Sequence, residues 1–396
     1  MKEAIRKLVL PAVAAAGLIA GAFTAQAETV LHRGNGAEPE TLDPQKSTGV
    51  PEANIQYELF EGLTTYTPDG KVVPGVAEKW EISDDGKTYT FHLRDSKWSN
   101  GDPVTAGDFV YTLRRLVDPA TASDYAYIID DIANAADIRN SVQKDVTKLG
   151  AEAVDDHTLK ITLAHSTPYF LGLLRHASVL PVNEKSIKAH PDDWTKPGNL
   201  VSNGAFMLTE WTPQASLTMV KNPNYYGADK VKLDKLVYYP TEDLGEEFKR
   251  FRAGELDVTY DTPSDQMKYV EANLKDQFQN SPYLGTYYYV INLTKKPLGK
   301  QRDLREALAL AVDRETLVSK ITQAGELPAY AWVPPGLHGY DLQAVDFKNM
   351  KKAERIAKAK DILKKAGYDK SNPLKVEILY NTSENHKKIA VAIQSM

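Results

Sequence analysis

The chain contains no cysteine in 396 residues. This excludes disulfides, thiolate metal ligands and cysteine nucleophiles, and also the cysteine at which a bacterial lipoprotein is cleaved and anchored. Phenylalanine and tryptophan are scarce, at 10 and 5 residues against 21 tyrosines. Neither charge dominates: 48 Lys and Arg face 53 Asp and Glu, for a net charge of −5, which argues against nucleic acid and anionic membrane surfaces as partners. No apolar run of spanning length occurs beyond Phe23, so no membrane insertion of the mature chain is expected. Catalytic signatures are also missing. The eight histidines form no H-E-x-x-H, and there is no G-x-S-x-G elbow and no P-loop. Asp84-Asp85-Gly86 opens like a calcium loop, but the later oxygen ligands are absent at the required spacing, and a hairpin turn explains it better. No enzyme, metal or cofactor is expected.

At the N-terminus, Lys2, Arg6 and Lys7 precede an apolar, small-residue run from Leu8 to Phe23, followed by Ala25-Gln26-Ala27. That is the build of a cleaved signal peptide over residues 1–27, with the mature chain starting at Glu28. With no cysteine, it points to the periplasm of a two-membraned bacterium. The removed segment carries three cations and Glu3, so the mature net charge becomes −7. The remaining 369 residues suffice for two or three domains, and 42 % hydrophobic with 26 % charged residues is ordinary for a globular protein. Tyrosine offers an apolar ring with a polar tip, suited to lining a wet cavity, although most tyrosines are expected as half-buried sheet residues.

The most informative stretch runs from Gly75 to Leu116. Trp80 and Ile82 enter an Asp84–Lys87 turn containing Asp-Gly, the strongest short hairpin signal. Thr88–Leu93 then alternates, with Tyr89, Phe91 and Leu93 on one face, which predicts a strand with one face buried. Thr105 and Asp108 resemble a capping box ahead of a helix whose Phe109, Leu113 and Leu116 share a face, with Arg114 and Arg115 pointing away. Further helices are expected over 54–63, from Asp313 to near Gly325, around Leu304, Leu308 and Ala311, around Ile356, Ala359 and Leu363, and after Asn381. Further strands are expected at Leu159–Leu163, Leu217–Lys221, Val231–Tyr239, up to Tyr260, and at Leu284–Leu293 and Leu374–Tyr380. The last strand and helix lack a return strand before Met396, so a C-terminally truncated fragment that binds poorly is expected.

Three runs, Gly75–Trp80 (GVAEKW), Asp85–Arg94 (DGKTYTFHLR) and Lys97–Tyr111 (KWSNGDPVTAGDFVY), resemble the signature of the peptide-binding extracytoplasmic solute-binding proteins of ABC importers, and among them the oligopeptide-binding type. The resemblance implies an α/β, two-lobed periplasmic-binding-protein-like fold of type II in its three-domain variant. Its first lobe would comprise residues 28–63 and 185–284, its small second domain 64–184, and an incomplete third domain 285–396. It implies a monomeric receptor that holds an oligopeptide between the lobes by backbone strand pairing and hydrated side-chain pockets and delivers it to a membrane permease. A murein tripeptide, a dipeptide, glutathione, a nickel chelate or haem are the alternative ligands, and a hydrolase is the weakest reading. By matching positions, Thr48, Gly49 and Val50 form the loop that pairs with ligand backbone. Tyr125, His176, Tyr260, Tyr283, Gly285 and Tyr288 line the pockets, and His386 lies near the ligand's C-terminal end. Two positions depart from the pattern of broad oligopeptide binders: Thr48 replaces an acidic residue and Thr322 a lysine.

Overall fold

The computed structural model describes residues 28–281, 283–337 and 340–396, so the expected signal peptide lies outside the described residues. Its strands are β1 Val30–Gly34, β2 Thr64–Tyr66, β3 Val72–Pro74, β4 Ala77–Ile82, β5 Thr88–Leu93, β6 Ala151–Asp155, β7 Thr158–Thr162, β8 Phe206–Thr212, β9 Ser216–Lys221 and β10 Lys235–Tyr239. They form a four-stranded sheet β1-β10-β9-β8, a second one β4-β5-β7-β6 and a two-stranded β2-β3 pair. In the first sheet β1 runs parallel to β10, although 200 residues of chain separate them, while the other neighbours are antiparallel. The sheet therefore gathers the chain before and after the β4-β5-β7-β6 unit into one body.

The hairpin forms as its sequence predicts. Trp80 pairs with Phe91 and Ile82 with Tyr89 across a turn in which Gly86 takes φ +68°, a conformation that favours glycine. Tyr89, Phe91 and Leu93 are buried and the intervening residues are not. Helix α2, Ala106–Val117, follows, and the Asp108 carboxylate accepts hydrogen bonds from the Thr105 amide at 2.8 Å and the Thr105 hydroxyl at 3.0 Å. Phe109, Leu113 and Leu116 of α2 pack onto β6 and β7 within one continuous apolar core that extends from Leu42 to Tyr238. A separate, smaller core joins Ala307, Leu310, Tyr330, Phe347 and Ala359, and unites the helices Arg302–Ala311 and Lys352–Lys365.

Several expectations change. Helix α1 spans Val50–Leu59, not 54–63, because Pro51 presets the helical φ of the first turn. Val50 is thus already helical. The strand expected from Val231 begins only at Lys235, after a short turn of 3₁₀ helix at Ala228–Lys230. The strand expected up to Tyr260 shrinks to one bridge between Arg33 and Val258. Leu284–Leu293 and Leu374–Tyr380 alternate as strands do but belong to no sheet among the described residues. Alternation supplies a face, whereas a strand also needs a neighbour for its amides and carbonyls. The buried face of Arg302–Ala311 is Leu304, Ala307 and Leu310 rather than Leu308 and Ala311. The helix after Asp313 is one α-turn, Arg314–Thr316, continued by a π-helix over Leu317–Thr322. Strands β1, β2, β3, β6 and β8 arise where none was expected.

Arg115 does not face solvent. Its guanidinium reaches Asp43 with two hydrogen bonds of 2.5 and 2.8 Å and Gln45 with one of 2.5 Å. Its side chain is 13 % exposed and that of Asp43 is 4 % exposed. A forked pair of this kind is well formed only if both partners stay, since removal of one leaves the other charged and dry. Arg115→Ala is therefore expected to lower stability by about 3–5 kcal/mol in urea denaturation. Arg114→Ala, which removes a single 3.4 Å bond to the Thr147 carbonyl and no ion pair among the described residues, is expected to cost only about 1 kcal/mol.

Candidate functional site

The loop between β1 and α1 is shaped by side chains that bond to one another before any ligand is considered. The Asp43 carboxylate accepts from the Gln45 amide, and the Gln45 side-chain amide donates to the carbonyls of Ser178 and Leu180 at 3.0 and 3.2 Å. The Ser47 hydroxyl pairs with the Gln56 side chain of α1. Thr48 follows, then Gly49 with extended backbone, then Val50 as the first residue of α1, 52 % exposed. The Thr48 carbonyl accepts from the Tyr125 hydroxyl at 3.5 Å.

Tyr125 and His176 lie together, ring centroids 4.6 Å apart. His176 Nδ1 accepts from the Ser178 amide at 3.2 Å and sits 2.8 Å from the Ser178 hydroxyl. Burial pushes the His176 pKa below the ordinary imidazole range, so the ring is neutral at neutral pH. Burial raises the Tyr125 phenol, and Tyr127, Asp124 and then Tyr288 add to the rise. The Tyr288 ring packs on Trp332 at 4.5 Å. Thr48, Tyr125, His176 and Tyr288 thus converge, with Tyr288 arriving from a segment more than a hundred residues downstream of the others.

A second group surrounds Tyr260. Its phenol is raised first by burial, then by Asp261 and Tyr283. The Asp261 carboxylate accepts from the Asn385 side-chain amide at 3.0 Å, which ties this group to the N-terminus of the helix Glu384–Ser395. His386 on that helix bonds the Asn381 side chain at 2.6 Å and stacks near Tyr287, centroids 5.1 Å apart. Burial lowers the His386 pKa, with the nearby Asp261 working in the opposite direction. Tyr283 is 84 % exposed, and the Gly285 amide donates back to its carbonyl at 2.9 Å. Gly49, Val50 and Gly285 offer backbone and little else, and Val50 carries a helical amide rather than an extended one.

Sequence reading missed Tyr57, Tyr66 and Arg175, which continue the aromatic wall, and Glu247, which holds Tyr260. The Arg175 cation lies 4.0 Å from the Tyr66 ring centroid, and the Tyr57 hydroxyl donates to the Arg175 carbonyl at 3.1 Å. Burial, then Tyr66, push the Tyr57 phenol up to about 12. Proximity to the His176 position was the one signal available for Arg175. Nothing in the sequence marked Glu247.

Residues 71–396 match the bacterial extracellular solute-binding proteins, family 5 (middle). The chain belongs to that family. It is 42 % identical over 389 residues to the periplasmic oligopeptide-binding protein OppA of Salmonella typhimurium, covering 97 % of this chain and 71 % of that one. It superposes on Haemophilus influenzae OppA in complex with the peptide RPPGFSPFR at a TM-score of 0.88 and 39 % identity, covering 93 % of this chain and 73 % of that one. On the Escherichia coli murein tripeptide binding protein MppA the TM-score is 0.90 at 39 % identity, with 93 % and 72 % covered. On an unliganded open form of MppA it falls to 0.68 at 38 % identity, with the same coverage. The α/β, periplasmic-binding-protein-like fold implied by the signature is the fold of this family member. The family is one of solute-binding receptors, not enzymes.

Glu247 shows how the family fold holds one wall of this site. It lies on the helix Leu244–Arg252, wholly buried. One carboxylate oxygen accepts the Tyr260 amide at 2.5 Å, and the other has no partner among the described residues. Gly34 leaves the room: a side chain there would collide with the carboxylate. Burial raises the Glu247 pKa from 4.5 to about 7, against the lowering effect of the Tyr260 and Asp261 amides. A carboxyl raised in this way is protonated in the folded chain while the unfolded chain has already lost the proton. Its stabilising contribution is full below about 4.5 and is lost as pH climbs to about 7. Glu247→Gln keeps the acceptor for Tyr260 and removes the titration. Relative to this variant, the natural chain is expected to lose about 3 kcal/mol between those pH values, read as diverging urea midpoints. Parallel midpoints across the range would contradict the assignment.

Proposed function

We propose that this chain is a periplasmic receptor that binds oligopeptides in the cleft between its lobes and hands them to an ABC import permease. One observation carries the reading. The fit to an oligopeptide receptor holding a nonapeptide, TM-score 0.88, is far better than the fit to an unliganded open form, 0.68. Sequence identity is nearly the same in the two comparisons, 39 % and 38 %, so the difference lies in lobe arrangement. This supports an arrangement in which a ligand would be enclosed. In that arrangement Tyr288 approaches Tyr125 and Asn385 reaches Asp261, so tyrosine and histidine walls from distant parts of the chain face each other.

On this reading the first lobe comprises residues 28–63 and 185–284, the small second domain 64–184 and the third domain 285–396. The separate apolar cores above and below residue 284 support the last boundary. Ligand backbone pairs with the Thr48–Val50 loop and the Leu284–Leu293 segment, whose amides and carbonyls belong to no sheet among the described residues and suit strand addition. Tyr125, His176, Tyr260, Tyr283, Gly285, Tyr288 and His386 line the side-chain pockets. A neutral His176 and uncharged phenols can donate or accept, so water can adapt their bonds to different side chains. The receptor acts as a monomer, with no cofactor. A signal peptide over residues 1–27 delivers it to the periplasm, and among the described residues no helix is long and apolar enough to cross a membrane.

A murein tripeptide is the second reading. It is favoured by the equal similarity to MppA and by Thr48 and Thr322, which stand where broad oligopeptide binders carry charge. Calorimetry on the full-length protein with tri-, tetra- and pentapeptides and with a murein tripeptide tests both. Heat with the general peptides is expected, and peptide at about a hundred times Kd is expected to stabilise the fold by about 2.7 kcal/mol. Silence with every peptide would end the proposal, and heat with the murein tripeptide alone would select the second reading. Tyr125→Ala is expected to weaken binding about tenfold.

A further inference from the structure

Arg175 is a cation without a carboxylate. Arg115, Arg139, Arg250 and Arg355 each join a guanidinium to an acidic side chain, while among the described residues other arginines, such as Arg33, Arg94 and Arg314, do not. Among the described residues Arg175 has no such pair. One of its terminal nitrogens donates to the Gly70 carbonyl at 3.4 Å, a weak bond, and its Nε is buried with no partner. The face of the guanidinium lies against Tyr66, whose ring meets Tyr57 edge-on at 6.4 Å. Tyr66 therefore stacks on a guanidinium whose Nε has no acceptor among the described residues, and Tyr57 bonds the backbone of the same residue. Tyrosine faces orient a guanidinium and shield it from water, but they cannot accept its in-plane hydrogen bonds. A carboxylate can, with two parallel bonds.

We propose that Arg175, with Tyr57 and Tyr66, forms a subsite for a carboxylate carried by the bound peptide. The inference rests on the peptide-receptor reading and adds a charge preference to it. The carboxylate has two sources, an acidic side chain or the peptide's own C-terminus. Arg175 is adjacent in sequence to His176, so the subsite extends the wall that His176 and Tyr125 begin. The competing view is that Arg175 only staples Tyr66 to the loop at Gly70.

Calorimetry on the full chain separates these outcomes. Peptides are compared in pairs, Glu against Gln at each position and free acid against C-terminal amide, at low and high salt. The natural chain is expected to bind one acidic member about tenfold more tightly than its neutral twin, a difference of about 1.4 kcal/mol, and to lose part of that ratio in high salt. A Glu/Gln ratio at one position identifies a side-chain subsite, and an acid/amide ratio identifies the terminus. In Arg175→Gln the ratio is expected to fall close to one, and in Arg175→Lys, which keeps the charge but not the fork, to an intermediate value. Equal ratios in the natural chain and Arg175→Gln overturn the subsite. If Arg175→Gln does not fold, the natural chain decides alone: neutral and acidic peptides bound equally overturn the subsite and leave the receptor reading standing. No binding of any peptide overturns both.

Discussion

An arginine guanidinium held out of water needs strong acceptors, and Arg115 on α2 finds a carboxylate in Asp43, on the loop ahead of α1. This pair organises the candidate site at one remove. The same guanidinium holds the Gln45 oxygen, and the Gln45 amide in turn holds the carbonyls of Ser178 and Leu180. One end of the network therefore positions Thr48, three residues after Gln45, and the other positions His176, two residues before Ser178. The two site residues come from segments that are far apart in sequence, yet they hang on one buried polar cluster. Such a cluster tolerates little displacement, because a partly satisfied network in a dry interior costs more than an apolar one. The rigidity is built where binding would need it, in a wall whose shape must exist before the ligand arrives.

What the sequence made legible is what depends on neighbours along the chain. The Asp-Gly turn, the alternation of Thr88–Leu93 and the Thr105–Asp108 cap each involve residues within a few positions of one another, and each forms as read. Arg115 was misread for the opposite reason. Helical spacing gives the direction away from Phe109 and Leu113, but it cannot show that a loop 72 residues earlier lies there with a carboxylate. Leu284–Leu293 and Leu374–Tyr380 fail in the same way, since alternation is local and a ladder partner is not. Glu247 and Gly34 are harder still. An acidic residue in the middle of a charged helix looks like solvated surface, and only the close approach of the Gly34 backbone turns it into a buried anchor.

The site residues divide by how firmly they are held. Thr48, Tyr125, His176 and Tyr260 belong to the side that shares the large core or is anchored to it by Glu247. Tyr283, Tyr288 and His386 belong to segments beyond it, joined to the first side through contacts such as Asn385 to Asp261. Such polar contacts contribute on the order of 1 kcal/mol each. Bonds of that size cannot by themselves hold two bodies together against the rotational freedom that opening restores. A ligand that touches both walls can, because it binds the closed arrangement and not the open one, and an equilibrium shifts only by that difference. The physical role of the aromatic walls is then twofold. On the proposed reading they recognise the ligand and, through it, help to keep the lobes together.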